Sequence, residues 1–316
     1  MSPTVSVIIP TKNRAHYVSS AVRSVLGQTF RNFELIVIDA ASIDNTEEVV
    51  GSFHDKRVRY VREETDRGIS ASRNRGITLT EGEFIAFLDD DDIWMPSKLE
   101  KQVEILRKNP SIGAVSTGIC VFNENKKIVM FGFPRSKGNI FPTILSKNVV
   151  GNCSAVLFRR DCLLTVGLFD ENLNAAEDVD LWIRLAKHFQ FDCVEEYLLL
   201  GRTHRKEISR DHERVLKATR ALYSKHVSEL ARLPLKQSRK ILASWHYDLG
   251  LLLSKCGDSE QARKEFVMAV SNDPVSVLLL VRLFTSSLSK TLAELVTSTF
   301  NLRLPISFRS KYIFNP

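Results

Sequence analysis

The chain is poor in the residues that staple a fold or punctuate a nucleotide loop. Its 316 residues hold five cysteines, Cys120, Cys153, Cys162, Cys193 and Cys256, and no two form a C-x-x-C pair. An odd number without metal spacing argues against a disulfide framework and reads as reduced thiols in a cytoplasmic protein. There is no G-x-x-x-x-G-K-[ST] and no G-x-G-x-x-G, so a nucleotide here is not held by a phosphate loop or a dinucleotide fingerprint. Long apolar runs are missing too. The longest stretch, Val275 to Phe284, is interrupted by Arg282 and falls short of the roughly 20 residues that span a bilayer. Met1-Ser2-Pro3-Thr4 leads directly into an apolar strand without a basic start or an apolar signal core, so no secretion is expected.

What is present is ordinary globular composition, 44% hydrophobic and 26% charged. The charge is unevenly placed. Residues 1–200 carry 24 Lys and Arg against 27 Asp and Glu, and residues 201–316 carry 20 against 10. An acidic front and a basic back suggest two modules with different partners. A basic module of this kind suits anionic lipid, nucleic acid or a phosphorylated substrate.

Short apolar runs at Val5–Pro10, Phe33–Asp39, Val58–Val61 and Phe84–Leu88 read as strands. They alternate with helical spacing at Ala15–Leu26, Thr46–Val50, Ile69–Leu79 and from Pro96 to Leu106. This alternation predicts a parallel α/β sheet. From Val115 the pattern turns mixed, with strands near Ala114–Phe122, Ile128–Phe131, Cys153–Arg159 and Cys193–Leu200 and a helix over Asp178–Phe189. Beyond His204 only helices are expected, over Glu213–Leu230, Lys236–Ser254, Ser259–Val270 and Val275–Leu288. Trp245, Leu249, Gly250, Ala262, Phe266, Ala269 and Pro274 stand where one tetratricopeptide-like hairpin would place them.

The chemistry gathers at strand ends. Asp89-Asp90-Asp91-Asp92 follows a buried strand directly, at the edge where open α/β sheets bind ligands. Adjacent carboxylates repel one another unless a cation or donors neutralise them, and hard oxygens suit Mg²⁺ or Mn²⁺. Asp39 ends the second strand and Asp44 lies in the following turn. Pro10-Thr11-Lys12-Asn13-Arg14 brings hydroxyl, amide and cationic groups to the same edge, and Arg73 adds a cation from the third crossover. Glu177-Asp178 opens a helix, where acids either stabilise the dipole or serve as a general base. His204 in Arg202-Thr203-His204 is a lone histidine.

Together these segments resemble the family 2 glycosyltransferases, over roughly Val5 to Ser209. The matching stretches are Val7–Arg14, Ile36–Asp39 with Ser42–Thr46, Gly68–Gly76, Phe87–Asp92, Val166–Glu171, Glu177–Leu185 and Arg202–His204. The resemblance implies a GT-A nucleotide-sugar fold over residues 1–209, with a nucleotide-binding half to about 110 and an acceptor half from about 111. Residues 210–316 would form a small all-α domain. It also implies roles. Pro10, Thr11, Arg14, Asp39, Arg73, Asp89, Asp90 and Glu177 would line the donor site, with Asp39 on the base. Asp91 and His204 would hold Mn²⁺ or Mg²⁺, and Asp178 would deprotonate the acceptor. The reaction implied is inverting transfer of one sugar, a UDP-sugar by default, to a glycan or lipid-linked acceptor.

This sequence departs from the family in two places. The family commonly has a second aspartate and a glycine after the first aspartate, where this chain has Ala40 and Ala41. The Q-x-x-R-W motif and membrane helices of processive members are missing, so single-sugar addition is expected. Nucleic acid is not among the expected partners. Peripheral contact with the inner face of a membrane is expected from the basic C-terminal helices and from apolar stretches such as Val277–Leu280. Two other readings remain open: a non-catalytic nucleotide-sugar or glycan binding module, and a nucleotidyltransferase. The intact Asp89-x-Asp91 and Glu177-Asp178 argue against the first, and the lack of glycine in Thr11–Arg14 argues against the second.

Overall fold

The structure is a computed structural model and describes residues 2–123, 125, 127–134, 136–203 and 211–273. The chain divides into two compact units, Met1–Ile144 with Asn148–Arg205, and Leu145–Lys147 with Lys206–Pro316.

The first unit begins as four strands separated by helices: β1 (Val5–Thr11), α1 (Ala15–Leu26), β2 (Phe33–Ala40), α2 (Thr46–Gly51), β3 (Val58–Glu63), α3 (Ile69–Thr78) and β4 (Phe84–Phe87). The strands pair in parallel in the order β3-β2-β1-β4. Every residue of β1 and β4 is buried, which is why they read as continuous apolar runs rather than alternating ones. Helix α1 buries the stripe Ala15, Val18, Ala21, Val22 and Val25. Helix α3 lies so close to β1 that a Cβ on Gly76 would stand 2.4 Å from Ile8 Cγ2, so only glycine fits there.

The rest of the unit comprises β5 (Ile93–Trp94), α4 (Lys98–Lys108), β6 (Ile112–Asn123), β7 (Ile128–Gly132), the single turn α5 (Thr143–Ser146), a 3₁₀ turn at Cys153–Ala155, β8 (Leu157–Arg159), α6 (Arg160–Val166), α7 (Glu177–Ala186) and β9 (Gln190–Thr203). These strands extend the sheet as β4-β8-β6-β9-β5, with β7 beside β6. The β6–β9 ladder is parallel, and β4–β8, β6–β8, β6–β7 and β5–β9 are antiparallel.

Several boundaries differ from expectation. Pro96 does not open α4. Its carbonyl accepts the Thr29 N–H at 2.8 Å, and the helix starts at Lys98. Cys153–Ala155 is not strand but a 3₁₀ turn, whose Ser154 carbonyl serves an indole described below. Helix α7 ends at Ala186, and β9 takes up the residues from Gln190 to Thr203.

The second unit holds α8 (His212–His226), a 3₁₀ turn at Val227–Arg232, α9 (Leu235–Lys255) and α10 (Ser259–Asn272). The expected helix over Glu213–Leu230 is thus broken at His226. Helices α9 and α10 pack as a hairpin around Ala243, Tyr247, Leu253, Ala262, Phe266 and Ala269. Asp258 caps α10, its Oδ1 accepting the Gln261 N–H at 3.0 Å. A Cβ on Gly250 would meet Phe266 Cε1 at 2.6 Å, so Gly250→Leu should overpack the hairpin. The expected loss is about 1–3 kcal/mol in urea denaturation of the second unit. The expected helix over Val275–Leu288 lies outside the described residues. Among the described residues no helix is long and apolar enough to cross a membrane.

Candidate active site

Strand register places the chemistry. Thr11 lies opposite Asp39 across β1 and β2, and the Leu88 N–H donates to the Ile8 carbonyl at 3.0 Å. The ends of β1 and β2 and the residues after β4 therefore emerge at one edge, because parallel strands end on the same side.

Two arginines organise the acids. Arg14 Nη1 donates to Asp90 Oδ1 at 2.9 Å and to Asp91 Oδ2 at 2.7 Å, and Thr11 Oγ1 donates to Asp90 Oδ2 at 2.7 Å. Arg73 Nη2 donates to Asp89 Oδ1 at 2.8 Å, and its Nη1 donates to Glu177 Oε1 at 2.7 Å. The Arg73 side chain is only 3% exposed. The repulsion expected within the aspartate run is thus relieved by cations from α3 and from the loop after β1. Asp178 lies next to Glu177 in the first turn of α7, and its Oδ1 accepts the Val179 N–H at 2.7 Å.

Burial drives the titration of these acids. It pushes Asp178 up to about 7, with the charge of Glu177 adding to the rise and Arg73 opposing it. Asp90 is likewise pushed up to about 7 by burial, against the pull of Arg14 and Thr11. Burial also raises Asp92, and the charges of Asp91 and Asp89 add to the shift.

Asp39 is fully buried. Its Oδ1 accepts the Ser42 N–H at 2.9 Å and its Oδ2 accepts the Tyr60 hydroxyl. Pro10 is buried in β1 opposite Ile38. His204 lies outside the described residues. The structure therefore brings Thr11, Arg14, Arg73, Asp89, Asp90, Asp91, Glu177 and Asp178 to one edge, with Asp39 one strand away.

Several contributors were given no role from the sequence. Ser154 Oγ accepts the Asp89 N–H at 3.0 Å, and its carbonyl accepts Trp94 Nε1 at 2.8 Å. Trp182 Nε1, from α7, donates to the Gly151 carbonyl at 3.1 Å. The segment 151–154 is thereby pinned both to the acidic run and to the helix bearing Asp178. The Arg202 N–H donates to Asp92 Oδ1 at 3.2 Å, and its guanidinium lies 4.9 Å from the Tyr17 ring centre and 4.7 Å from that of Phe122. Asn13, the amide singled out after the first strand, is left-handed at φ 53°, a region asparagine tolerates. Its side chain accepts the Ile43 N–H at 2.7 Å, joining the loops after β1 and β2.

Ala41 is also left-handed, at φ 55°. The conformation that a glycine would supply persists here with a methyl group. Ala41→Gly should therefore stabilise the protein by about 0.5–1 kcal/mol in urea denaturation, the relief of αL strain outweighing the extra backbone entropy.

The donor set suits a hard divalent cation. Asp89 and Asp91 present carboxylates whose side chains are 28% and 14% exposed, and among the described residues no three His, Cys, Asp or Glu converge on one point. Such a pair matches Mg²⁺ or Mn²⁺, which commonly takes one or two carboxylates and completes its shell with water and substrate phosphate.

Fold and site together define a nucleotide-sugar transferase of GT-A type, and comparison with known proteins agrees. The glycosyl transferase family 2 model matches residues 6–164. The chain belongs to glycosyl transferase family 2. It is 36% identical over 190 residues to the UDP-Glc:alpha-D-GlcNAc-diphosphoundecaprenol beta-1,3-glucosyltransferase WfgD of Escherichia coli, covering 60% of this chain and 72% of the relative. Among solved structures it resembles S. aureus TarS 1–349 with a TM-score of 0.62 at 20% identity, covering 87% of this chain and 81% of the other. It also resembles the mannosyltransferase PcManGT of Pyrobaculum calidifontis, solved with GDP-Man and Mn²⁺, with a TM-score of 0.60 at 19% identity over 100% of this chain and 89% of the other.

Proposed function

We propose that the protein transfers a single sugar from a UDP-sugar to a hydroxyl of a lipid-linked glycan precursor, with inversion and with the aid of a divalent cation. The observation that carries this reading is the paired arrangement of Asp89 with Arg73 and Asp91 with Arg14 beside Asp178. WfgD, whose name carries both a UDP-sugar and a diphosphoundecaprenol acceptor, supports the donor and acceptor classes.

Asp91 would hold the cation, with His204 as a further ligand and Asp89 beside it towards the ribose. When bound, the cation stabilises the charge on the departing nucleoside diphosphate. Pro10 and Thr11 would line the nucleotide site, and Asp39, buried and bonded to Ser42 and Tyr60, would reach the base only by exchanging one of those bonds. Arg14 and Arg73 set positive charge where the diphosphate would lie. Asp178 takes the proton from the acceptor hydroxyl as the acceptor oxygen bonds the anomeric carbon and the carbon–diphosphate bond breaks. A carboxyl that burial raises to about 7 suits that task, since a base poised near the working pH both exists ionised and takes a proton readily.

The test is calorimetric titration of UDP with and without Mn²⁺, on the wild type and on Asp91→Asn. Metal-dependent binding that disappears in the variant is the expected result. No binding of UDP under either condition would overturn the uridine assignment, and GDP would then be titrated.

A further inference from the structure

The corner between α8 and α9 is basic and carries exposed apolar side chains. Val227 is 51% exposed in the turn after α8, and Leu235, the first residue of α9, is 70% exposed. Around Leu235 lie Lys236, Arg239 and Lys240, all exposed, and of the first six residues of α9 only Ser238 is buried. Ser238 Oγ donates to the Leu230 carbonyl at 2.7 Å, tying this end of α9 to the preceding turn. Glu229 is the acid of that turn, and it is mostly buried and paired with Arg232 at 3.2 Å. Among the described residues Lys236, Arg239 and Lys240 have no ion-pair partner.

A solvated helix face would carry mixed charge and would keep leucine inward. Here the only charges at the exposed start of α9 are cations, beside an exposed leucine, and an exposed valine lies in the turn before it. That combination complements an anionic bilayer, where lysine and arginine meet headgroups and short apolar side chains enter the interface. A soluble polyanion would account for the cations but would gain nothing from Leu235. We propose that this corner docks the protein on an anionic membrane surface. The proposal deepens the reading of the acceptor as lipid-linked and rests on it, since such an acceptor has to be met at a bilayer.

The experiment uses the full chain and phosphatidylcholine vesicles with and without phosphatidylglycerol, sedimented at low and physiological salt. Sedimentation is expected only with phosphatidylglycerol and should weaken as salt rises. Lys236→Glu, Arg239→Glu and Lys240→Glu together should lower vesicle partitioning by roughly tenfold or more. Val227→Ser with Leu235→Ser should lower it several-fold while leaving its salt dependence intact. Equal binding to neutral vesicles, or wild-type sedimentation of the triple variant, overturns the proposal. So does an unchanged Val227→Ser, Leu235→Ser protein that heparin fully displaces, because that result describes a soluble-polyanion site. UDP titration without vesicles should be the same in every variant. Its failure in the wild type would strike the donor reading and leave the vesicle result standing.

Discussion

Asp178→Asn should lower turnover by about 10²- to 10⁴-fold while leaving UDP affinity unchanged. The size follows from the role: an amide cannot take the acceptor proton, yet it keeps the shape of the first turn of α7. The pH dependence supplies a second readout. The carboxyl is pushed up to about 7, so wild-type turnover should rise between pH 6 and pH 8 along a single ionisation and then level. The residual turnover of the variant should lose that limb. The stability sign is opposite to the activity sign. The folded pKa stands above the unfolded value of about 4, so this group's ionisation weakens the fold as pH rises from about 4 to about 7, and the loss levels off above that. Asparagine escapes that cost. The variant should therefore melt no lower than wild type at pH 8, and a lower melting temperature there would mean that the lost activity reflects damage to the fold.

Arg73→Met should be the most destabilising single change at the site. The guanidinium is buried between Asp89 and Glu177, at 2.8 and 2.7 Å, and methionine keeps its bulk while removing its charge. Two carboxylates would then face each other with neither cation nor full solvation. Breaking a buried pair in this way costs about 3–5 kcal/mol. For a unit of this size that corresponds to a fall in melting temperature of roughly 10 °C. Differential scanning calorimetry would show it, and added Mn²⁺ with UDP should restore part of the loss by binding the folded form. A change under about 1 kcal/mol would show that the two acids are adequately solvated without Arg73.

The first half of the fold was legible because buried parallel strands write themselves as unbroken apolar runs. Helix Ala15–Leu26 and the strand beginning at Phe33 lie where spacing put them. The 3₁₀ turn at Cys153–Ala155 was not legible, since its apolar residues look like strand and its bond to an indole comes from Trp94, 60 residues away. The same limit applies to the site. The acids could be picked out by their position at strand ends, but which arginine meets which acid is set by tertiary approach. Arg73 and Glu177 are 104 residues apart, and Arg14 and Asp90 are 76 apart. Ser154 and Tyr60 drew no attention because a lone serine or tyrosine carries no local signature, and Arg202, though part of the matching stretch Arg202–His204, was given no role because its partner Asp92 lies 110 residues away.

The two indoles that grip the segment 151–154 give the protein a built-in optical probe. The chain has three tryptophans; Trp94 and Trp182 bond to carbonyls of that segment, and Trp245 lies in the second unit. In a Trp245→Phe background, emission would come from indoles whose N–H groups are tied to the wall between the acidic run and the Asp178 helix. Any shift of that wall on donor binding would change their hydrogen bonding and hence the emission wavelength. The motion of the site can then be timed by stopped flow without attaching a dye.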